Sequence, residues 1–127
     1  MDRSKYFISA ETVEPYIPSG HSGTLNRRLI AKETAGAENF ELILGELKPG
    51  GGAHRHSHRR SEHGYYILEG KCRIEVGGEK QEVSQGMAVF VPRGIEHELT
   101  VLQPLKLLVF YSPPLKHVDE AAETNEE

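Results

Sequence analysis

The sequence predicts one all-β domain, a sandwich or barrel of short strands. Three observations carry that expectation. Apolar segments of five to eight residues recur about every ten residues. Thirteen glycines and seven prolines bound them, and no segment sustains a 3.6-residue period. The chain has 127 residues, 37% of them hydrophobic, enough for a single modest core.

Taken in order, the segments are 24–31 (TLNRRLIA), 40–47 (FELILGEL), 64–70 (GYYILEG), 71–76 (KCRIEV), 87–91 (MAVFV), 98–102 (ELTVL) and 105–111 (LKLLVFY). In 71–76, Cys72, Ile74 and Val76 alternate with Lys71, Arg73 and Glu75, the pattern of a half-buried strand. Gly77-Gly78 follows as a two-residue hairpin turn. Gly70 and Gly86 are read as turn glycines, and Gly50–Gly52 as the loop entering a histidine-rich strand. Residues 1–23 have weak periodicity and two prolines, so an N-terminal arm or edge strand is expected there. The barrel domain is assigned to 24–113 and an acidic, disordered tail to 114–127.

Composition narrows the function classes. The net charge is −4, but residues 118–127 carry five acids and no bases, which leaves the body at +1. A near-neutral body is not the basic footprint of a nucleic-acid binder. No stretch approaches the ~20 apolar residues of a membrane helix. The N-terminus lacks an apolar stretch of signal-peptide type, so a cytoplasmic setting is the expectation. Cys72 stands alone and is read as a buried core thiol.

The chemistry sits in the histidines. Of seven, His54, His56, His58 and His63 fall within ten residues, and His97 follows VPRGIE further on. In an extended segment residues i and i+2 share a face, so His56 and His58 can aim at one point and His54 can join them. His63 opens the next strand. Imidazoles from one strand, its neighbour and a distant strand suit a transition metal inside a barrel, each binding in neutral form. His21 and His117 are read as ordinary surface or hydrogen-bonded residues.

The spacing Gly50-x5-His56-x-His58-x4-His63-x6-Gly70 resembles the first motif of the cupins, and Gly86-x5-Pro92-x-Gly94-x2-His97 resembles their second. The resemblance covers residues 40–111. It implies a double-stranded β-barrel of jelly-roll type, in agreement with the strand pattern. The first motif ordinarily carries a Glu after His-x-His; here Glu62 meets one spacing requirement, whereas His63 meets both and shares the strand face of Tyr65 and Ile67. The resemblance therefore implies one divalent ion (Fe, Mn, Ni, Cu or Zn) held by His56, His58, His63 and His97, as in four-histidine cupins. The second motif usually ends in Asn, and Val101 stands there instead.

An ion held by four neutral imidazoles keeps its full positive charge and favours an enolate, carboxylate or hydroxide. On an octahedral ion two positions stay open, enough for a bidentate substrate or a substrate beside O2. The leading expectation is a metal-dependent dioxygenase or related oxidoreductase acting on a small, anionic or enolisable molecule. The alternatives are a non-redox isomerase, cyclase, decarboxylase or lyase, and a non-catalytic metal- or ligand-binding barrel. Tyr65, Glu62 and His54 are the candidates for catalytic roles, with Glu62 and Glu96 also placed to orient imidazoles. Phe90, Leu99 and Phe110 are candidates for enclosing the pocket, and Arg55, Arg59 and Arg60 for drawing in an acidic substrate. A small open-edged barrel with an arm is expected to form a homodimer.

Overall fold

A computed structural model describes residues 6–115. After a single 3-10 turn at Ala10–Thr12, the chain forms β1 (His21–Ile30), a one-turn helix α1 (Lys32–Ala35), β2 (Glu41–His56), β3 (Glu62–Val76), β4 (Glu79–Ser84), β5 (Ala88–Val91) and β6 (His97–Ser112). The strands run antiparallel in the order β1-β2-β6-β3-β4, with β5 paired to β3, and the sheet does not close on itself. This is the expected all-β jelly-roll barrel.

Fewer, longer strands replace the short segments of the sequence reading. Segments 64–70 and 71–76 join into β3, and 98–102 and 105–111 join into β6. The reason is visible at Gly70, which is a bulge rather than a turn. It has φ +94°, and a Cβ there would lie 2.0 Å from the Pro104 carbonyl oxygen. Strand registers slip between Ile67 and Cys72, so inward parity moves from His63, Tyr65 and Ile67 to Cys72 and Ile74. In β6 the parity is unbroken, and His97, Leu99, Val101, Leu105, Leu107, Val109 and Tyr111 are all buried. The Gly77-Gly78 hairpin is present, with positive φ at both residues as its turn type requires.

The core gathers Ile43, Ile67, Cys72, Val91, Val101 and Leu107, each nearly inaccessible. Cys72 is fully buried, and desolvation pushes its thiol up to about 12, so it stays an inert thiol as expected. β1, an edge strand of the sheet, begins at His21, inside the segment read as an N-terminal arm or edge strand, and Val13 is also buried. At the other end Leu115, read as tail, packs into the core cluster. The acidic residues 118–127 and His117 lie outside the described residues.

One buried charge pair was not anticipated. Arg28 of β1 and Glu41 of β2 point inward, Nε to Oε2 3.8 Å apart, and the Arg28 guanidinium lies 3.8 Å from the Tyr16 ring centroid. Charges this deep stand only when paired. The pair occupies the barrel at the Tyr111 end of β6, since Glu41 is the register partner of Tyr111.

Candidate metal centre

The strand ends deliver the histidines to one place. His56 closes β2 and His97 opens β6, and the two are register partners. His58 follows in the irregular segment after β2, so it reaches the site from a loop rather than as a continuation of the strand. His63 sits near the start of β3, opposite Tyr111 and Val91. His58, His63 and His97 are each at most 3% exposed.

His56, His58 and His97 offer ligand nitrogens that all lie within 4.8 Å of one another. Two of these rings are aimed by backbone carbonyls two residues earlier. The His97 Nδ1–H donates to the Ile95 carbonyl at 3.0 Å, and the His56 Nδ1–H donates to the His54 carbonyl. That choice of tautomer leaves Nε2 of each ring as the free lone pair. His97 Nε2 and both ring nitrogens of His58 are buried with no hydrogen-bond partner. Orphaned imidazole nitrogens converging in a dry site fit a divalent transition metal, which would satisfy them.

His63 is buried beside this trio but is not within it. Its ring centroid lies 4.7 Å from that of His97 and 5.1 Å from that of His58. Its Nε2 is 3.1 Å from the Tyr65 hydroxyl. Tyr111 completes the surroundings, with its ring 4.8 Å from His63 and edge-on to His58 at 5.5 Å.

Burial dominates the electrostatics. Desolvation, with further lowering by neighbouring imidazoles, takes His58 down to about 3, and desolvation followed by His56 takes His97 to about 4. His63 falls well below the ordinary range for the same reasons, and His56 falls less because its bond to the His54 carbonyl opposes desolvation. All are therefore neutral near pH 7, the form a metal needs. Burial also raises Tyr65, keeping it a neutral phenol.

The other sequence candidates are spread around this centre. His54 is exposed, and its contribution is its carbonyl rather than its ring. Glu62 is exposed, on the face of β3 opposite His63. Glu96 is also exposed and lies 4.0 Å from Arg55, so the imidazole-orienting role falls to carbonyls instead. Arg55 is committed to acids, with Glu98 at 2.6 Å and Glu75 at 3.0 Å, which reduces its value for attracting substrate. Leu99 lines the interior, but Phe90 and Phe110 are 60% and 45% exposed and face outward.

Sequence reasoning missed two inward groups. His21, read as an ordinary surface or hydrogen-bonded residue, lines the interior cavity beside His56, with ring centroids 6.2 Å apart and Nδ1 buried without a partner. A register slip between Ser22 and Thr24 hides it, because β1 parity changes there. Tyr111 was legible, since it continues the odd-numbered apolar parity of β6. The cavity is only about 20 Å³, room for a single water or ion. A larger groove of about 520 Å³ lies outside, lined by residues including Leu25, Lys48, Glu69 and Lys106, and Thr24 and Leu47 border both spaces.

The chain is similar to known proteins. The cupin-domain family pattern matches residues 43–111. An uncharacterised protein of Methanocaldococcus jannaschii is 30% identical over 86% of this chain and 87% of its own length. The tetracenomycin polyketide synthase protein TcmJ of Streptomyces glaucescens is 30% identical over 80% of this chain and 73% of its own. Among solved structures, the polyketide cyclase RemF of Streptomyces resistomycificus superposes with a TM-score of 0.72 at 32% identity, covering 93% of this chain and 85% of that one. The chain belongs to the cupin family.

Proposed function

We propose that this protein is a metal-dependent enzyme acting on a small enolisable carbonyl compound by non-redox chemistry, of the cyclase type. The observation that carries the reading is the convergence of His56, His58 and His97, with two of the rings aimed by carbonyls and neutral at pH 7. His63 is the proposed fourth ligand. Support for a polyketone-like substrate comes from the similarity to TcmJ and RemF, whose names tie them to polyketides. Neither of these names points to the oxygen chemistry that was the leading expectation from the sequence.

A divalent ion at this site supplies Lewis-acid stabilisation of an enolate oxygen. The chain supplies the rest. Ile95 and His54 carbonyls hold the imidazole tautomers, and Leu99, Val109 and Leu107 keep the interior dry. His21, Thr24, Asn26, His56, Tyr65 and Tyr111 are the polar side chains lining the interior, and of these His21 and Tyr111 are placed to meet substrate oxygens. A cavity of about 20 Å³ holds no such substrate, so its wall must give. On the β1 side, that edge strand is held by β2 alone and contributes His21, Thr24 and Asn26 to the cavity wall.

The test is metal analysis of protein purified without a histidine tag, followed by assays with linear and cyclic β-polyketones. Turnover by the Zn-loaded protein without O2 is expected. Turnover that requires O2 and a redox-active metal would replace this reading with the dioxygenase. A protein that takes up no metal would leave a ligand-binding barrel.

A further inference from the structure

His63 differs from the three grouped histidines in how its ring is held. His56 and His97 spend Nδ1 on backbone carbonyls and keep Nε2 free. His63 does the reverse: Nδ1 is buried with no partner, and Nε2 is engaged by the Tyr65 hydroxyl at 3.1 Å. The two side chains stand two residues apart on the inward face of β3, their rings 5.0 Å apart and nearly perpendicular at 87°. Tyr65 is itself 9% exposed.

We infer that Tyr65 is a positioning residue for the metal centre, its hydroxyl holding His63 Nε2 off the His56–His58–His97 trio so that His63 is an exchangeable fourth ligand. This rests on the metal-binding reading above. Binding an ion through Nε2 requires the ring to leave Tyr65, and the abandoned hydroxyl is then a buried polar group without a partner. With His63 held by Tyr65, His56, His58 and His97 would hold the ion and His63 would leave its place to substrate.

The experiment is a Co2+ titration of the full-length wild type, Tyr65→Phe, His63→Gln and the double variant, followed by visible absorption and by competition with Zn2+. Phenylalanine keeps the ring and removes only the competitor, so Tyr65→Phe should bind about three- to tenfold more tightly, the worth of one modest hydrogen bond. His63→Gln should bind more weakly, and the double variant should match it, because Tyr65 acts only through His63. An unchanged or weaker affinity in Tyr65→Phe overturns the inference, as does the same gain in the His63→Gln background. Should Tyr65→Phe fail to fold, imidazole 15N spectra of the Zn2+-loaded wild type decide. Exchange broadening confined to His63 is expected, and four equally sharp metal-bound histidines overturn it. If the wild type binds one Co2+ that His97→Ala loses while Tyr65→Phe changes nothing, the metal reading stands and this inference alone falls. If the wild type binds none, both fall.

Discussion

His63 and His97 lie with ring centroids 4.7 Å apart, although they belong to opposite ends of the same strand pairing. His63 is the register partner of Tyr111, and His97 is the partner of Val76 and His56. A straight strand would separate positions 97 and 111 by about 46 Å, at ~3.3 Å per residue. The rings meet only because β6 bends through the barrel and carries its two ends onto one site. The bend passes Gln103 and Pro104, opposite the bulge at Gly70.

That bend depends on the absence of a side chain at residue 70. Gly70→Ala would put a Cβ 2.0 Å from a backbone oxygen at φ +94°, and neither strand can yield cheaply. The variant is expected to lose more than about 2 kcal/mol, or not to accumulate as folded protein. Chemical denaturation against wild type measures this; a loss below about 0.5 kcal/mol would contradict the close approach.

Removal of a trio member should abolish metal retention. His97→Ala deletes a ligand whose Nε2 is buried and unpartnered, and it is expected to lower Zn2+ affinity at least ~100-fold while the fold persists. Equilibrium competition with a chromophoric chelator gives the value. A variant that still holds one ion per chain with wild-type affinity would move the metal elsewhere.

The buried imidazoles make the metal-free protein acid-sensitive. His58 and His97 sit at about 3 and 4 when folded, below the ordinary 6.5, so the unfolded chain binds more protons in the interval between. Their contribution is complete above pH ~6.5 and is lost as pH falls toward 4 and then 3. One such group costs about 2 kcal/mol between pH 6.5 and 5. The urea midpoint at pH 5.0 should therefore lie clearly below that at pH 7.5. Added Zn2+ should raise both midpoints without narrowing the gap, because protons compete with it for the same nitrogens and it binds no more tightly at pH 5.0 than at pH 7.5.

Glu41→Ala removes the carboxylate that faces the buried Arg28 guanidinium. Breaking one side of a buried pair is expected to cost about 3 kcal/mol, more than either charge gains by being there. A thermal melt of Glu41→Ala beside the double variant Glu41→Leu/Arg28→Met checks it, the double variant being the more stable of the two.

A homodimer remains the proposal for the assembled state. Phe90 and Phe110 flank Gly64 across three strands of the outer face, with Tyr66 two residues along, and all three side chains are at least 45% exposed. Light scattering at micromolar concentration is expected to give twice 14.2 kDa. Phe110→Lys should shift it toward a single chain, and a monomeric wild type would dismiss the proposal.

Much of this was legible in one dimension. Apolar alternation and glycine punctuation identify an all-β domain, because they depend on local periodicity, and of the four histidines singled out by spacing and resemblance the fold groups His56, His58 and His97. Parity in β6 even points Tyr111 inward. What escaped is what bulges rewrite. The slip between Ser22 and Thr24 turns His21 toward the interior, and the slip at Gly70 fuses two predicted strands into one. A bulge changes every later side chain's face while leaving the composition untouched. Tertiary packing likewise decided the orienting groups: adjacent Glu62 and Glu96 stay outside, and the carbonyls of His54 and Ile95, which carry no sequence signature, hold the rings. Sequence thus determined which side chains are available for the chemistry, since residue type and spacing are local. Only the folded barrel decided which of them meet, because contact between residues 34 apart, as His63 and His97 are, is a property of how the strands bend and pair.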